Sequence, residues 1–426
     1  MLGLVDANNF YVSCERSFNP ALEGRPVVVL SNNDGAIVAR SNEAKALGIP
    51  MTQPFFQIRE LLEAHNVAVF SSNYTLYGEM SARIMGILGR FVEEVEVYSI
   101  DEAFLNLSGY QTLYPDLTLF AQNVRQTIRQ WTRIPVSIGL APTKTLCKVA
   151  NWYAKRQPEC EGVFLLDMDE KVRSALDHIA IGELWGVGSK YAALLRRNDI
   201  RTAWDLRNAP DDWIAQHMTV NGLRLAYELR GVSCKMLELD AQPKKAICTA
   251  PSFGCGVSDL ATVSQALTTH LSRAAEKLRR QGSAAGTVTV FIHTNRHKKG
   301  INGLAAKQYY NSQTVRLPHP SASTVELVRY AQASLKAIFR FGYEYGKVGV
   351  ILTELVPTDH RQQGLFHSGP DERLARLSGV IDRLNHRHGR DRVRLAGQGY
   401  ERGWQTRREW LSRCYTTRWA DILEAR

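Results

Sequence analysis

The chain has 426 residues, too many for one hydrophobic core, so it reads as roughly three domains. Its 44% hydrophobic and 22% charged content is that of a soluble globular protein, and no apolar run reaches the length that would make a helical membrane span. The 53 Lys and Arg against 42 Asp and Glu leave a net charge of +11, a field that favours polyanions, nucleic acid ahead of an anionic membrane; on charge alone, a basic solvated surface without a ligand is the other reading. Seven scattered cysteines without a Cys-x-x-Cys spacing fit unpaired thiols in a reducing cytosol rather than a disulfide scaffold. The first strand meets Asp6 almost at once, without the character of a signal peptide, so the expected location is the cytoplasm, on the nucleoid when engaged.

Met1 to Val5 reads as a buried strand, and Pro26 to Leu30 as a second, closed by the polar turn Ser31-Asn32-Asn33-Asp34-Gly35. Residues 41–47 have helical propensity and stop at Gly48. A longer helix starts near Asn73 and runs through Ile84 and Leu88. Two strands flank Asp101-Glu102, a helix runs from Leu117 to Trp131, Pro135 to Leu140 is another strand, and Thr143 caps the next helix. Alternation of this kind predicts an α+β or α/β first domain. After residue 167 short helices alternate with turns, and Pro243-Lys244-Lys245 reads as a linker. Beyond it a helix-to-strand unit occurs twice, Val263–Arg280 to Thr287–His293 and Thr324–Phe341 to Val348–Leu355. That doubling predicts a small split β-α-β sheet domain with two helices on one face. Residues 359–426 hold no Lys, and fourteen Arg against nine acids, and Arg suits bidentate phosphate or carboxylate contacts.

The chemistry concentrates in Tyr98-Ser99-Ile100-Asp101-Glu102-Ala103-Phe104-Leu105, read with Leu4-Val5-Asp6. Acids that interrupt apolar strands are costly to bury without a compensating cation. Divalent metal ions supply that compensation, and two of them can clamp the oxygens of a phosphoryl transfer. Adjacent strand residues face opposite ways, so Asp101 and Glu102 can serve one site only if the backbone bends there. After Thr143, Lys144, Lys148, Asn151 and Lys155 recur at i, i+4, i+7 and i+11, within about 60° on a helix. Lysines so spaced repel, and a triphosphate or nucleic-acid backbone between them relieves that cost; a solvated face is the other reading. Tyr11 is either a core tyrosine or a ring against a bound sugar, excluding a 2′-hydroxyl. Leu184-Trp185-Gly186-Val187-Gly188, with Lys190, Arg196 and Arg197 nearby, is either a bare helix connection or a turn offering backbone amides to phosphate. Asp167 to Glu170 reads as a helix start, where acids suit the dipole.

In chain order, Asp6-Ala7-Asn8-Asn9-Phe10-Tyr11, Ser31-Asn32-Asn33-Asp34-Gly35, Ser71-Ser72-Asn73-Tyr74, Tyr98 to Phe104, Thr143-Lys144-Thr145-Leu146, Trp185-Gly186-Val187-Gly188 and Ala396-Gly397-Gln398-Gly399 match the pattern of the Y-family translesion DNA polymerases. The chain resembles that family essentially end to end, and within it the UmuC type, the catalytic subunits of bacterial DNA polymerase V. The resemblance implies an α+β multidomain right hand. Its palm, a mixed sheet plus helices, takes residues 1–10 and 74–166, and small fingers take 11–73. A helical thumb with a helix-hairpin-helix-like turn takes 167–240, a split β-α-β little-finger domain 243–356, and an Arg-rich partner-binding tail 357–426.

The same resemblance implies Asp6, Asp101 and Glu102 as catalytic acids holding two Mg²⁺ ions with the Ala7 carbonyl. Tyr11 becomes the sugar gate, Lys45 and Lys155 triphosphate contacts, and Gly186, Gly188 and Lys190 contacts to the primer–template backbone. Asn42 stands where many relatives carry a tyrosine. Gln362, Leu365 and Phe366 become a sliding-clamp anchor, with Gln363 where Leu is common. Besides primed DNA and dNTPs, a RecA filament and a cleaved UmuD-type dimer are implied partners. The implied activity is error-prone, DNA-templated synthesis past damage in the SOS response. Two other classes stay open at this point. A nucleotide cyclase could use a similar palm with paired acids but needs no template, and a non-catalytic damaged-DNA-binding module explains the charge but not the buried acids.

Overall fold

The structure, a computed structural model, describes residues 1–240, 242–297, 307–358 and 372–424. The strands are β1 Leu2–Ala7, β2 Val27–Leu30, β3 Ile37–Arg40, β4 Ala68–Ser71, β5 Val95–Val97, β6 Glu102–Asn106, β7 Val136–Ala141, β8 Val163–Leu165, β9 Ile247–Thr249, β10 Ser252–Val257, β11 Ser283–Thr294, β12 Tyr310–Ser321 and β13 Tyr345–Pro357. The helices are α1 Phe10–Phe18, α2 Asn42–Ala46, α3 Phe55–Ala64, α4 Tyr74–Phe91, α5 Tyr110–Leu113, α6 Leu117–Thr132, α7 Lys144–Ala154, α8 Asp169–His178, α9 Ser189–Arg197, α10 Ala203–Asn208, α11 Asp211–Leu229, α12 Leu260–Arg280, α13 Thr324–Ile338 and α14 Glu372–His388. They form two compact units. The first holds Met1–Leu30, Ala36–Ala241 and Trp410–Arg426; the second holds Ser31–Gly35 and Gln242–Glu409.

In the first unit a five-stranded sheet runs β5-β6-β1-β7-β8, with β1 central and antiparallel to both neighbours. Such a strand is buried on both faces, which is why Leu2 to Ala7 reads as an apolar run broken only at Asp6. One face packs against α1, α4 and α6 through Val5, Leu105, Ile138, Leu88 and Val124. The other face shares its core with α7 to α11 through Leu4, Phe104, Leu146, Leu176 and Leu225. Gly139 makes the second face possible. A Cβ there would stand 2.3 Å from the Asn151 amide nitrogen and 2.5 Å from the Cys147 carbonyl, so α7 lies directly on β7 backbone. Asn151 uses that proximity to donate to the carbonyls of Ser137 (2.9 Å) and Leu4 (3.3 Å), tying β1 to β7. A smaller sheet, β3-β2-β4, pairs β2 antiparallel with β3 and parallel with β4.

The second unit is built on the sheet β10-β13-β11-β12, with β9 also on β13 and every pairing antiparallel. Helices α12 and α13 cover it, as the doubled pattern predicts, through Leu267, Leu271, Leu327 and Leu335. One element departs from that pattern. The 12-residue strand β12 precedes α13 and forms the sheet edge beside β11. It carries Pro318, exposed, and Pro320, half-buried, which an edge tolerates because one row of its amides has no ladder partner among the described strands.

Candidate active site

Backbone geometry brings the acids together. β5 and β6 are joined by a tight turn in which the amides of Tyr98 and Ser99 both donate to the Glu102 carbonyl, at 3.1 Å each. The Ser99 hydroxyl donates to Asp101 Oδ1 (2.6 Å) and accepts the Glu102 amide (3.0 Å). This is the bend that adjacent acids need. Across the ladder, Asp6 stands opposite Glu102, and the Ala7 amide donates to the Asp101 carbonyl at 2.8 Å. After β1 the chain reverses through Asn9, which takes φ 48°, a left-handed conformation that Asn tolerates better than most residues. That reversal sets Tyr11 on the first turn of α1, beside the acids.

An open cleft of about 510 Å³ results, lined by Asp6, Tyr11, Arg40, Lys45, Asp101 and Lys155. Burial pushes the Asp6 carboxyl up to about 6; Lys155 opposes the rise and Glu102 adds to it. Lys155 Nζ sits 2.6 Å from Asp6 Oδ2, and Lys148 Nζ 2.5 Å from Glu102 Oε1. Lys45 donates to Asn9 (2.7 Å) and Asn42 (3.1 Å), so Asn42 here orients a lysine. Burial, then the positive charges of Arg40, Lys155 and Arg156, hold the Lys45 ammonium below its ordinary value. Burial also pushes the Tyr11 hydroxyl up to about 12, with Tyr74 and Asp101 adding to it. The cleft thus has an acidic floor, a crowded cationic wall and an aromatic side.

The lysine stripe is corrected by the structure. Lys144 is buried, pairs with Glu96, donates to the Met236 carbonyl (2.8 Å) and lies 5.1 Å from the Phe104 ring centroid. Asn151 holds strands. Each lysine of the stripe therefore meets its own carboxylate, and of the four stripe residues only Lys155 lines the cleft. The spacing was real, but a sequence does not say which acid faces which lysine.

The turn at Gly186 (φ 92°) leads into α9, with Gly186, Gly188 and Lys190 exposed. Trp185 links it to the acid hairpin: its ring meets Tyr98 edge-on at 5.9 Å, with Lys148 Nζ at 5.5 Å and Lys235 Nζ at 3.8 Å from the Trp185 centroid. Gln362, Leu365 and Phe366 lie outside the described residues. Three contributors carried no role in the sequence reading. Ser99 is signalled by its place two residues before Asp101, and Arg40 by the cation it adds beside Lys45. Tyr77 stacks on Tyr11 with centroids 4.4 Å apart at 16°; its spacing from Tyr74 looks like ordinary helix core.

Asp6, Asp101, Glu102 and the Ala7 carbonyl make an all-oxygen donor set, the kind hard divalent cations take. Among the described residues no three acidic, His or Cys side chains already converge as a metal cage. Two of the acids hold an ammonium instead, so cationic charge stands where the donor chemistry fits a metal ion.

This arrangement lies in the fold of the Y-family DNA polymerases. A Y-family DNA polymerase chimera of Dbh and Dpo4 superposes with TM-score 0.67 at 21% identity, covering 83% of this chain and 99% of that one. The insertion ternary complex of Dbh DNA polymerase superposes with TM-score 0.55 at 20% identity, with 83% and 99% covered. The chain belongs to the impB/mucB/samB family. The family model matches residues 5–151, its C-terminal domain matches 244–365, and a domain of unknown function matches 375–425. Protein ImpB of Salmonella typhimurium is 39% identical and Protein UmuC of its strain LT2 is 40% identical, each covering 100% of both chains. DNA polymerase IV of Moorella thermoacetica is 29% identical over 91% of this chain and 93% of its own length.

Proposed function

We propose that this protein is an error-prone DNA-directed DNA polymerase of the UmuC type, carrying out translesion synthesis in the SOS response by two-metal nucleotidyl transfer. The observation that carries the reading is one cleft in which Asp6 and Asp101 face Arg40, Lys45 and Lys155, with Tyr11 alongside. Acids alone suit a metal and cations alone suit a phosphate; both together suit a nucleoside triphosphate that reacts. Family membership supports the same reading.

In this reading Asp6, Asp101, Glu102 and the Ala7 carbonyl hold two Mg²⁺ ions. When bound, those ions supply activation of the primer hydroxyl and neutralisation of the triphosphate. Lys155, released from Asp6, joins Lys45 on the triphosphate, and both stabilise the charge that gathers on departing pyrophosphate. Tyr11 lies against the sugar and excludes a 2′-hydroxyl. Gly186, Gly188 and Lys190 grip the primer–template backbone without reading sequence. Palm, fingers, thumb, little finger and tail take the residue ranges given in the sequence analysis. A UmuD-type dimer and RecA filament are the proposed partners, and Gln362 to Phe366 the sliding-clamp anchor.

Primer extension across an abasic template site tests this, with Mg²⁺, four dNTPs, clamp, RecA filament and UmuD-type dimer present. Asp101→Asn lowers extension at least about a hundredfold, the scale of one lost transition-state contact, with primed-DNA binding intact. Equal extension by variant and wild type removes these acids from the chemistry. Nucleotide turnover without a template returns the cyclase reading.

A further inference from the structure

Within the Ser71-Ser72-Asn73-Tyr74 motif, Asn73 takes no part in the chemistry above, yet the structure gives it two jobs at once. Its Oδ1 caps α4 by accepting the Leu76 amide (3.2 Å). Its Nδ2 donates to Ser412 Oγ (3.0 Å) and to the carbonyls of Ser412 and Arg413 (3.2 Å each). The C-terminal segment is thereby fastened to the start of the helix that carries Tyr74 and Tyr77. Ser71 and Trp410 exchange further hydrogen bonds, at 2.9 and 3.1 Å. Tyr415 stacks on Phe18 with centroids 4.9 Å apart, and Trp410 meets Phe55 edge-on at 4.9 Å.

From this anchor a chain of contacts leads to Tyr11. Ser412 Oγ donates to Glu15 Oε1 (2.9 Å), and the Tyr77 hydroxyl donates to the same oxygen at 2.6 Å. Glu15 is 2% exposed and Tyr77 fully buried. Glu15 follows Tyr11 by one turn of α1, so that single turn holds Tyr77 at both ends. Tyr11 stacks on the ring face while Glu15 receives the hydroxyl. Tyr74 closes the third side, edge-on to Tyr11 at 6.0 Å. A buried carboxyl accepting two neutral donors is a high-stakes group, because removing one donor leaves charge or lone pair uncompensated. Packing alone needs only a hydrophobe at position 15.

We infer that Ser412, acting through Glu15 and Tyr77, is a positioning residue for the Tyr11 sugar gate, so that the C-terminal segment helps set discrimination between deoxyribo- and ribonucleotides. The inference rests on the proposed gate role of Tyr11. With Ser412 in place, Glu15 is oriented from two directions, and Tyr77 presents a fixed face to the gate. Without it, Glu15 and Tyr77 gain freedom and the gate ring follows. The effect therefore falls on choice of sugar rather than on rate with the correct nucleotide.

Single-nucleotide insertion by the full-length chain on primed DNA, with Mg²⁺ and the proposed partners, gives kcat/KM for a dNTP and its matching rNTP. Their ratio is independent of the fraction of protein that is active, so a partly unfolded variant still reports. Ser412→Ala raises relative rNTP use about threefold to tenfold, the span of one neutral hydrogen bond. Ser412→Thr, which keeps the hydroxyl, stays near wild type, and Glu15→Gln moves in the same direction as Ser412→Ala. In a Tyr11→Ala background, Ser412→Ala adds nothing to the ratio. An unchanged ratio in Ser412→Ala, or an effect that persists without the Tyr11 ring, overturns the inference while leaving the gate standing. A Tyr11→Ala variant that discriminates like wild type overturns the gate reading and this inference with it.

Discussion

Burial raises Asp6 to about 6 against its Lys155 partner, the folded counterpart of the burial cost that singles out the acids in the sequence. Carboxylates set inside apolar strands have no folding rationale, so Asp6, Asp101 and Glu102 stood out from composition and pattern. Tyr77 and Glu15 did not, because a tyrosine at helix spacing and a glutamate one turn after Tyr11 resemble core and surface. His270 belongs with these hidden residues. Its Nδ1 donates to the Val348 carbonyl at 3.1 Å, and its ring meets Trp404 edge-on at 5.4 Å. Burial, with Arg273 adding, brings it down to about 4. Its folded form thus binds a proton less readily than its unfolded form. The stabilisation is present above the unfolded value near 6.5 and is lost as pH falls towards 4. Equilibrium unfolding of the second unit should show wild type losing about 2 kcal/mol between pH 7 and pH 5 from this group. His270→Gln should remove that part of the slope, and an identical slope in both proteins would acquit the histidine.

Helix α7 shows how an element carries both packing and chemistry. The Thr143 cap and helical spacing were legible, since Thr143 accepts the Leu146 amide at 3.2 Å. The reason the helix can approach β7 was not, because Gly139 looks like any strand glycine until its neighbours are known. Gly139→Ala must push α7 outward, since the clashing atoms are backbone. Overpacking of that kind costs about 1–3 kcal/mol, read as a lower midpoint of thermal unfolding. Extension activity should fall further than the folded fraction, because Lys148 and Lys155 move with the helix. Activity that merely tracks folding would mean the helix position is not set for chemistry. Strand β12 is the opposite case: an edge strand with prolines and few apolar residues gives little period-2 signal, so the helix after it was legible and the strand was not.

For the whole molecule, the net charge of +11 favours a polyanionic partner before any site is considered. Primed-DNA affinity should fall with salt at a log–log slope of about −4 or steeper, roughly five phosphates at about −0.9 each. A flat titration of fluorescent primed DNA would remove that partner. The two units were less legible than the elements, because residues 410–424 return to the unit that begins the chain, and sequence distance conceals such a return. That return has a consequence for synthesis on the ribosome. Strand β1 precedes its sheet partners in the chain yet lies mid-sheet, and Asn73 and Glu15 meet Ser412 only after 339 and 397 further residues have been made. A nascent or prematurely terminated chain, however well its strands pair, leaves the buried carboxyl of Glu15 without its Ser412 donor. The segment from Trp410 onward is thus a late completeness check on the first unit, and a fragment cut short of Trp410 is a natural target for proteolysis.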